Sequence, residues 1–263
     1  MDLPERIQNF RDLGGIVNTE GRKVKHGFLL RCAALVQASD HDIEILHDQY
    51  RVRTVVDFRS DHEVAFSPDR EIPGAVNIHL PMIDSNGQIW RDIMGDSMDG
   101  DPLEMLIRRA STPVIQELAR TMYLSLTMEE MAQKQYARFM RLVIDTADGA
   151  VLWHCSQGKD RTGVGAALVL TALGCDKESI VRDYDISNLH YASQVERVIR
   201  DMSIHDVEAQ KVVRTFVGAN VDYFSDALDA ISARYGSLDG YLRDCIGVSD
   251  ADREILRNRY LDD

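Results

Sequence analysis

Cys155 and Arg161, separated by five residues, are the side chains of this sequence whose types and spacing best suit chemistry. If the intervening residues curl into a nest, their amide N–H groups converge on a small concavity that fits a phosphate dianion. Donors and partial positive charge around a thiol favour the thiolate, so Cys155 would be an ionised nucleophile at neutral pH. Arg161 closes the loop, where its planar guanidinium can bind two phosphoryl oxygens. The spacing therefore predicts a cysteine nucleophile in an anion-binding loop.

The other residues of this loop are predicted to contact the bound anion. A nest binds its ligand mainly through backbone N–H groups, so each loop residue can contribute whatever its side chain is. Thr162 can also offer its hydroxyl to the cysteine sulfur. The predicted anion-binding residues are Ser156, Gln157, Gly158, Lys159, Thr162 and Gly163.

The segments on either side of the loop indicate how it is held. Ala150 to Trp153 is an apolar run of strand length, and the loop is followed by an Ala/Leu/Val-rich stretch that ends at Gly174. This pattern predicts a strand, the loop and a helix. The positive end of the helix dipole would then add to the attraction for an anion.

A purely structural explanation of the same residues is a buried, unreactive Cys155 and an Arg161 in a surface ion pair, with the glycines only turning the chain. Free cysteines are usually inert core residues, so this explanation would lead for an isolated cysteine. The loop spacing together with the flanking strand and helix favours the functional interpretation.

His154-Cys155, five residues and Arg161-Thr162-Gly163 between a strand and a helix resemble the signature of the cysteine-based protein tyrosine phosphatase superfamily. The fuller HCSQGKDRTG loop resembles an atypical bacterial and fungal branch, as do residues 9–15 (NFRDLGG), 57–60 (DFRS) and 235–242 (YGSLDGYL). Members of that branch include phosphatases with dual activity on phosphotyrosine and phosphoinositides. The resemblance extends over nearly the whole chain.

This resemblance implies a protein tyrosine phosphatase-like α/β fold, with a central, mostly parallel sheet flanked by helices. It also implies a metal-independent phosphomonoesterase that passes through a phosphocysteine on Cys155 and uses no cofactor. The expected substrates are phosphorylated proteins, above all at phosphotyrosine, with phosphoinositides as the alternative main substrate.

Phosphotyrosine cleavage requires a general acid for the leaving phenolate and later a base that activates water. The sequence contains no Trp-Pro-Asp, and three aspartates compete for the role. Asp160 lies in the loop, Asp57 ends a predicted strand, and Asp84 follows another. The resembled branch places Asp160 and Asp57 above Asp84. Asp57 could equally be the N-cap of a helix over 61–66.

Lys159 bears on the choice of substrate. A basic residue at this loop position resembles phosphoinositide phosphatases, in which a second positive charge meets an additional ring phosphate. The alternative is a lysine that faces solvent, which a tight loop disfavours. The substrate-binding interpretation predicts that Lys159→Ala lowers activity on polyphosphorylated inositol lipids more than on a phosphotyrosine peptide.

The rest of the chain predicts the elements of a single domain over 1–263. Residues 9–32 predict a hairpin around the turn from Asn18 to Gly21. Arg11 and Asp12 could touch the active site, but an ion pair that braces the hairpin is the favoured interpretation. Residues 85–130 predict a lid-like, helical insertion beside the site. Strands are expected at 54–56 and 75–81, and helices at 39–50, 113–126, 131–144, 176–202, 221–234, 237–245 and 249–261.

The composition limits the partners of the protein. A formal net charge of −13 argues against nucleic acid, because such binding requires clustered lysine and arginine. The sequence has no apolar run long enough for an integral membrane segment, and its charged start lacks the apolar core of a secretory signal. We therefore expect the protein in the cytoplasm, unless another export route acts. Four cysteines without a CxxC motif predict neither a disulfide framework nor a zinc site.

Two other classes of function fit parts of the pattern. A non-catalytic phosphate-binding module would keep the loop without turnover, and the intact Cys155, Asp160 and Arg161 argue against it. A rhodanese-like sulfur transferase also uses a cysteine in an anion loop, but the ending Arg161-Thr162-Gly163 argues against that assignment.

Overall fold

Five strands form one sheet, with the apolar run before Cys155 at its centre. The computed structural model describes residues 1–83, 107 and 113–262. The sheet order is β1-β2-β5-β3-β4, with β1 antiparallel to β2 and every other neighbouring pair parallel. The prediction of an α/β fold with a central, mostly parallel sheet is confirmed. The strands are β1 (Arg11–Asp12), β2 (Leu29–Cys32), β3 (Val52–Asp57), β4 (Val76–His79) and β5 (Ala150–His154).

The central strand β5 is buried along its whole length. Val151 and Trp153 pack into the larger hydrophobic core, whereas Ala150 and Leu152 pack into a second core on the other face of the sheet. A strand that is buried on both faces requires apolar residues at successive positions, without alternation. This requirement explains the continuous apolar run in the sequence.

The strand register brings the ends of three strands together. Cys32 of β2 and Asp57 of β3 both pair with His154, the last residue of β5. The carboxyl ends of parallel strands form the edge at which α/β sheets bind ligands. Cys155 is the first residue beyond this edge.

The helices of the described residues match the sequence predictions, with one addition, α7, which the sequence analysis did not predict. Short π-helical turns at 45–49 and 242–246 extend α1 and α9, and a 3₁₀ turn occupies 35–37. No helix in this part of the chain is long and apolar enough to cross a membrane. The helices are α1 (Asp40–Glu44), α2 (Asp61–Phe66), α3 (Pro113–Met128), α4 (Glu130–Asp145), α5 (Asp160–Ala172), α6 (Lys177–Asp201), α7 (Val207–Phe216), α8 (Val221–Tyr235), α9 (Leu238–Tyr241) and α10 (Asp250–Tyr260).

The N-terminal segment contributes to the sheet itself. The sequence predicts a hairpin that packs against the catalytic core, but β2 pairs in parallel with the central strand β5. Around the predicted turn, Val17 and Lys23 form an isolated bridge. The second half of the predicted hairpin is therefore a neighbour of the strand that leads into the loop.

The predicted insertion is described only at its end. Asp84 and residues 85–106 and 108–112 lie outside the described residues. The last part of the insertion is α3, which buries Tyr123 and Leu126 in the larger core. A lid role for the insertion and a single domain over 1–263 stay predictions.

Candidate active site

The carbonyl groups of the loop between Cys155 and Arg161 are held from outside. In a trans peptide the N–H points away from the C=O, so carbonyls directed outward leave amide groups directed into the loop. Among the described residues, the amides from Ser156 to Arg161 donate to no protein acceptor. The groups that hold the carbonyls are the Ala34 amide on Ser156 (3.2 Å), the Tyr191 hydroxyl on Gln157 (2.6 Å) and the Arg31 guanidinium on Gly158 (2.8 Å).

Asn9 is a further support of the loop. Its side-chain amide donates to the carbonyls of Gln157, at 3.1 Å, and Gly158, at 2.9 Å. The backbone of Asn9 has a φ of 53°, in the left-handed region that asparagine tolerates better than most residues. The NFRDLGG segment of the sequence therefore begins with a residue that holds the loop.

A buried carboxylate between two arginines braces the loop from behind. Asp183 of α6 accepts from Arg31, at 2.5 Å, and from Arg11, at 2.8 Å. Burial raises the pKa of Asp183, but the positive charges of Arg31 and Arg11 outweigh it and hold the pKa below its usual value. The prediction that Arg11 pairs within the hairpin is wrong, because its guanidinium reaches α6. Asp12 does brace the hairpin, since its carboxylate accepts from the amide of Gly27 at 2.7 Å.

Gly158 is required by the shape of the loop. Its φ is 64°, and a side chain at this position would collide with the backbone carbonyl of Cys32. The loop thus lies directly on the end of β2, at a distance that only a glycine permits.

Cys155 and Thr162 lie at the base of the loop. Cys155 is 3% exposed and belongs to the larger core cluster. The Thr162 hydroxyl is fully buried and has no hydrogen-bond partner among the described residues. Buried hydroxyls without a partner are uncommon and call for an explanation. A reaction intermediate with an acceptor atom near this hydroxyl would supply the missing hydrogen-bond partner.

Arg161 is fixed by Glu63, a residue that the sequence analysis missed. The guanidinium donates to the two carboxylate oxygens of Glu63 at 2.7 and 2.9 Å, and the Ser156 hydroxyl donates to the same carboxylate. Burial raises the pKa of Glu63, but hydrogen bonds and charge from Arg161 prevail and hold it well below its usual value. Glu63 therefore stays ionised and keeps Arg161 in place beside the loop.

The helix that carries Glu63 begins with a capping box. The Ser60 hydroxyl accepts from the amide of Glu63, and the Glu63 carboxylate accepts from the amide of Ser60. The alternative that Asp57 caps this helix is wrong, because Ser60 is the N-cap. The spacing of Ser60 and Glu63 was the available sequence signal for this helix start.

Asp57 lies in a cluster of charged side chains beside the loop. Nε of Arg59 lies 3.0 Å from both carboxylate oxygens of Asp57, and the guanidinium also donates to Asp69. His154 lies 3.3 Å from Asp69 and 3.8 Å from Asp57. Burial raises the pKa of Asp57, but His154 and Arg59 outweigh it and lower the pKa below its usual value. This carboxylate is therefore held as an anion.

The same cluster contains residue types that bind metal ions. Asp57, Asp69 and His154 place ligand atoms within 4.8 Å of one another. Arg59 donates to both carboxylates and already supplies the positive charge that a metal ion would bring. The donor set of this cluster therefore fits an arginine-centred ion pair.

Asp160 is the first residue of α5 and is held by two phenols. Its Oδ1 accepts from the Tyr123 hydroxyl at 2.8 Å and from the Tyr184 hydroxyl at 2.6 Å. Gly163 makes room for this arrangement, because a side chain there would lie 2.7 Å from the ring of Tyr184. The predicted loop carboxylate is thus oriented by helices α3 and α6.

Lys159 is directed away from both solvent and the interior of the loop. The residue is 1% exposed, and its ammonium donates to the carbonyls of Phe216 at 3.0 Å, Val217 at 3.4 Å and Gly218. These carbonyls end α7, where a cation is favoured by the helix dipole. The solvent-facing interpretation of Lys159 is wrong, and its ammonium is engaged in holding the end of α7.

The fold and the site define a class of protein: an α/β protein whose central strand leads into a cysteine-containing loop that ends at an ion-paired arginine. The sequence model of the tyrosine phosphatase family matches residues 3–262. The chain belongs to the tyrosine phosphatase family, which confirms the predicted family and class of enzyme.

Similar proteins support this membership. The triple specificity protein phosphatase PtpB of Mycobacterium tuberculosis is 31% identical over 271 residues, covering 92% of each chain. A protein of Cupriavidus necator, provisionally named a tyrosine-protein phosphatase, is 34% identical over 259 residues, covering 98% of this chain and 87% of its own. A crystal structure of P. aeruginosa TpbA matches with a TM-score of 0.28 and 18% identity, over 79% of this chain and 90% of that chain. That likeness is too distant to bear on fold or function.

Proposed function

We propose that the protein is a metal-independent phosphomonoesterase that acts on phosphotyrosine through a phosphocysteine on Cys155. The Cys155 thiolate attacks phosphorus, the bond to the leaving oxygen breaks, and water then cleaves the S–P bond. The loop amides and Arg161 stabilise the charge on the phosphoryl oxygens in both steps. The observation that carries the proposal is the loop over Cys155, whose carbonyls are held outward and whose arginine Glu63 fixes.

Asp160 is the proton donor that the geometry favours over Asp57. Arg59 binds both oxygens of Asp57, so protonation of Asp57 would break a buried ion pair. Asp160 has Oδ1 bound by two phenols and Oδ2 3.8 Å from the Lys159 ammonium, beyond hydrogen-bond distance, and its side chain is 21% exposed. Asp160 can therefore reach a substrate and exchange a proton with it.

Phosphotyrosine is the principal substrate in this proposal. The relative from M. tuberculosis is named a triple specificity protein phosphatase, which supports more than one class of phosphorylated substrate for this protein as well. The family resemblance implied phosphoinositides as the alternative substrate, and a free ammonium at Lys159 was an additional argument for them. Because that ammonium donates to the carbonyls at the end of α7, it offers no support for lipids as the main substrate.

A burst assay tests the covalent step. Wild-type protein is mixed with para-nitrophenyl phosphate in the presence of a chelator. If breakdown of the phosphocysteine limits turnover, nitrophenolate is released in a burst whose amplitude equals the enzyme concentration. Trapping by acid quench and mass spectrometry would detect the phosphocysteine directly. Cys155→Ser is expected to abolish turnover while it still binds phosphate. Activity that survives in Cys155→Ser, or is lost with the chelator, would overturn the proposal.

Leaving-group dependence tests the assignment of the acid. Asp160→Asn is expected to slow phenyl phosphate by about 100-fold, while activated aryl phosphates are slowed much less, because only a poor leaving group needs the proton. Asp57→Asn is the comparison, and it should slow both substrates by a similar factor. The reverse pattern would assign the acid to Asp57.

A further inference from the structure

Three oxygen atoms form a closed triangle at the start of α5. The Tyr123 and Tyr184 hydroxyls lie 2.8 and 2.6 Å from Oδ1 of Asp160, and they lie 2.8 Å from each other. The two tyrosines come from different helices, α3 and α6. All three distances are those of good hydrogen bonds between oxygens.

Only the carboxyl corner of this triangle reaches solvent. The Asp160 side chain is 21% exposed, whereas Tyr123 is 1% and Tyr184 0% exposed. The ring of Tyr184 is also stacked on Phe224, with centroids 3.9 Å apart. The phenols are therefore fixed parts of the core, and Asp160 is the member that can meet a substrate.

The triangle can accommodate Asp160 in either protonation state. When Asp160 is ionised, the two phenol protons can both be donated to Oδ1, and the edge between the tyrosines carries no proton. When Asp160 is protonated on Oδ2, that proton can pass to the leaving oxygen, and both phenols still donate to Oδ1. Neither state leaves a buried hydroxyl without a partner, which would cost roughly 1–3 kcal/mol.

We propose that Tyr123 and Tyr184 are positioning residues that hold the Asp160 carboxyl in both of its protonation states during the reaction. The proposal deepens the proposed function and rests on Asp160 being its general acid and base. In the first step the S–P bond forms, the P–O bond breaks, and the Asp160 proton passes to the leaving oxygen. In the second step water attacks phosphorus, the S–P bond breaks, and a water proton returns to Asp160.

The phenols keep their own protons throughout this cycle. Burial, and then the negative charge of Asp160, raise the pKa of both Tyr123 and Tyr184 well above the usual value. The proton that leaves and returns is therefore the carboxyl proton. The other titratable or charged groups that face Asp160 are Lys159 and Arg161 of the loop, Cys155 at its base, Tyr136 of α4 and Tyr191 of α6.

The test is the pH profile of kcat for phenyl phosphate in Tyr123→Phe and Tyr184→Phe. Each variant removes one donor to the carboxylate and keeps the ring. Since the ionised form of Asp160 then loses a hydrogen bond, the alkaline limb of the profile is expected to move to higher pH by roughly one unit. The same variants should lower kcat for phenyl phosphate by about tenfold, and that for activated aryl phosphates by about twofold or less.

Tyr241→Phe is the matched control, because the Tyr241 hydroxyl is also buried and donates to a backbone carbonyl, that of Thr127 at 2.6 Å. The alkaline limb of the kcat pH profile of Tyr241→Phe should stay at the wild-type position. Thermal unfolding and vanadate inhibition are measured for each variant to show that the fold and the loop are intact. Because the tyrosines lie on different helices, either folded variant decides the question.

The outcomes separate this inference from the proposed function. Asp160→Asn is expected to lose the alkaline limb. If it does, and the tyrosine variants behave as Tyr241→Phe does, the positioning role is overturned while the proposed acid stands. If Asp160→Asn retains the limb, the assignment of the acid is overturned and the positioning role falls with it.

Discussion

At the scale of single residues, the arginine of the loop depends on a carboxylate that is far from it in sequence. Glu63 and Arg161 are 98 positions apart, yet they form a two-pronged ion pair that also includes the Ser156 hydroxyl. Paired hydrogen bonds of this kind fix the plane of a guanidinium as well as its position. A guanidinium that is fixed before substrate binds needs no reorganisation in the transition state.

Glu63→Gln tests this positioning. Glutamine keeps the shape of the side chain but removes the charge and one of the two acceptors. We expect kcat/KM for para-nitrophenyl phosphate to fall by about tenfold or more, since a hydrogen bond between charged groups contributes about 1.5–3 kcal/mol. The matched control is Glu178→Gln, which removes an exposed ion pair with Arg182 on α6. Equal activity in the two variants would show that Arg161 does not need its partner.

At the scale of secondary structure, the loop is held by elements from most of the chain. β2 supplies Arg31, α6 supplies Asp183 and Tyr191, and the segment before β1 supplies Asn9. The end of α7 joins the loop through Lys159. The helix that the sequence analysis did not predict is therefore tied to the loop between Cys155 and Arg161 by a buried ammonium.

Lys159→Met tests whether Lys159 is a support or a substrate-binding residue. Methionine preserves much of the apolar stem but leaves the carbonyls at the end of α7 without their donor. We expect the free energy of unfolding to fall by about 2 kcal/mol, because buried acceptors lose a charged partner. Activity should fall by a similar factor on a phosphotyrosine peptide and on a phosphoinositide.

Lys134→Met is the control for this substitution, since Lys134 is 71% exposed in its side chain and pairs only with Glu130 among the described residues. Urea denaturation of both variants gives the stability difference. A selective loss of lipid activity in Lys159→Met, without loss of stability, would restore the original prediction for this residue.

At the scale of the whole molecule, a buried charge network links the first two strands to α6. Arg11 and Arg31 come from the first two strands, and Asp183 comes from α6. The Arg31 side chain is 0% exposed and that of Asp183 is 3% exposed. Burial lowers the pKa of Arg31 to about 10, with the charge of Arg11 acting in the same direction. The network therefore places a carboxylate between two buried cations.

Acid is expected to weaken this network. The folded-state pKa of Asp183 is held below its usual value, so its contribution to stability is fully present above about pH 4 and is lost as the pH falls through the folded-state value. Asp183→Asn should destabilise the protein by about 3 kcal/mol at pH 7, because two buried guanidinium groups lose their anion. The difference in the free energy of unfolding between wild type and Asp183→Asn should shrink below pH 4.

Chemical denaturation at pH 7 and at pH 3.5 measures both effects. Asp229→Asn is the control, because the Asp229 side chain is 64% exposed and pairs with Lys177 on the surface. A difference between wild type and Asp183→Asn that stays constant with pH would contradict the argument.

The sequence alone was sufficient for the family, the class of enzyme and most of the elements. The spacing of Cys155 and Arg161 predicted the loop, and the apolar run before it predicted a buried central strand, because both features are local in the chain. The helix starts at Ser39, Asp176 and Ser249 could likewise be predicted from capping side chains that act within three residues.

The tertiary structure alone decided which groups act on the loop. Glu63 beside Arg161, the two phenols beside Asp160 and the arginines beside Asp183 join segments between 24 and 172 residues apart. Contacts at such separations depend on how helices pack on the sheet, which periodicity and capping do not specify. Lys159 shows the limit most clearly: its place in the loop follows from the sequence, but the direction of its ammonium depends on where α7 ends.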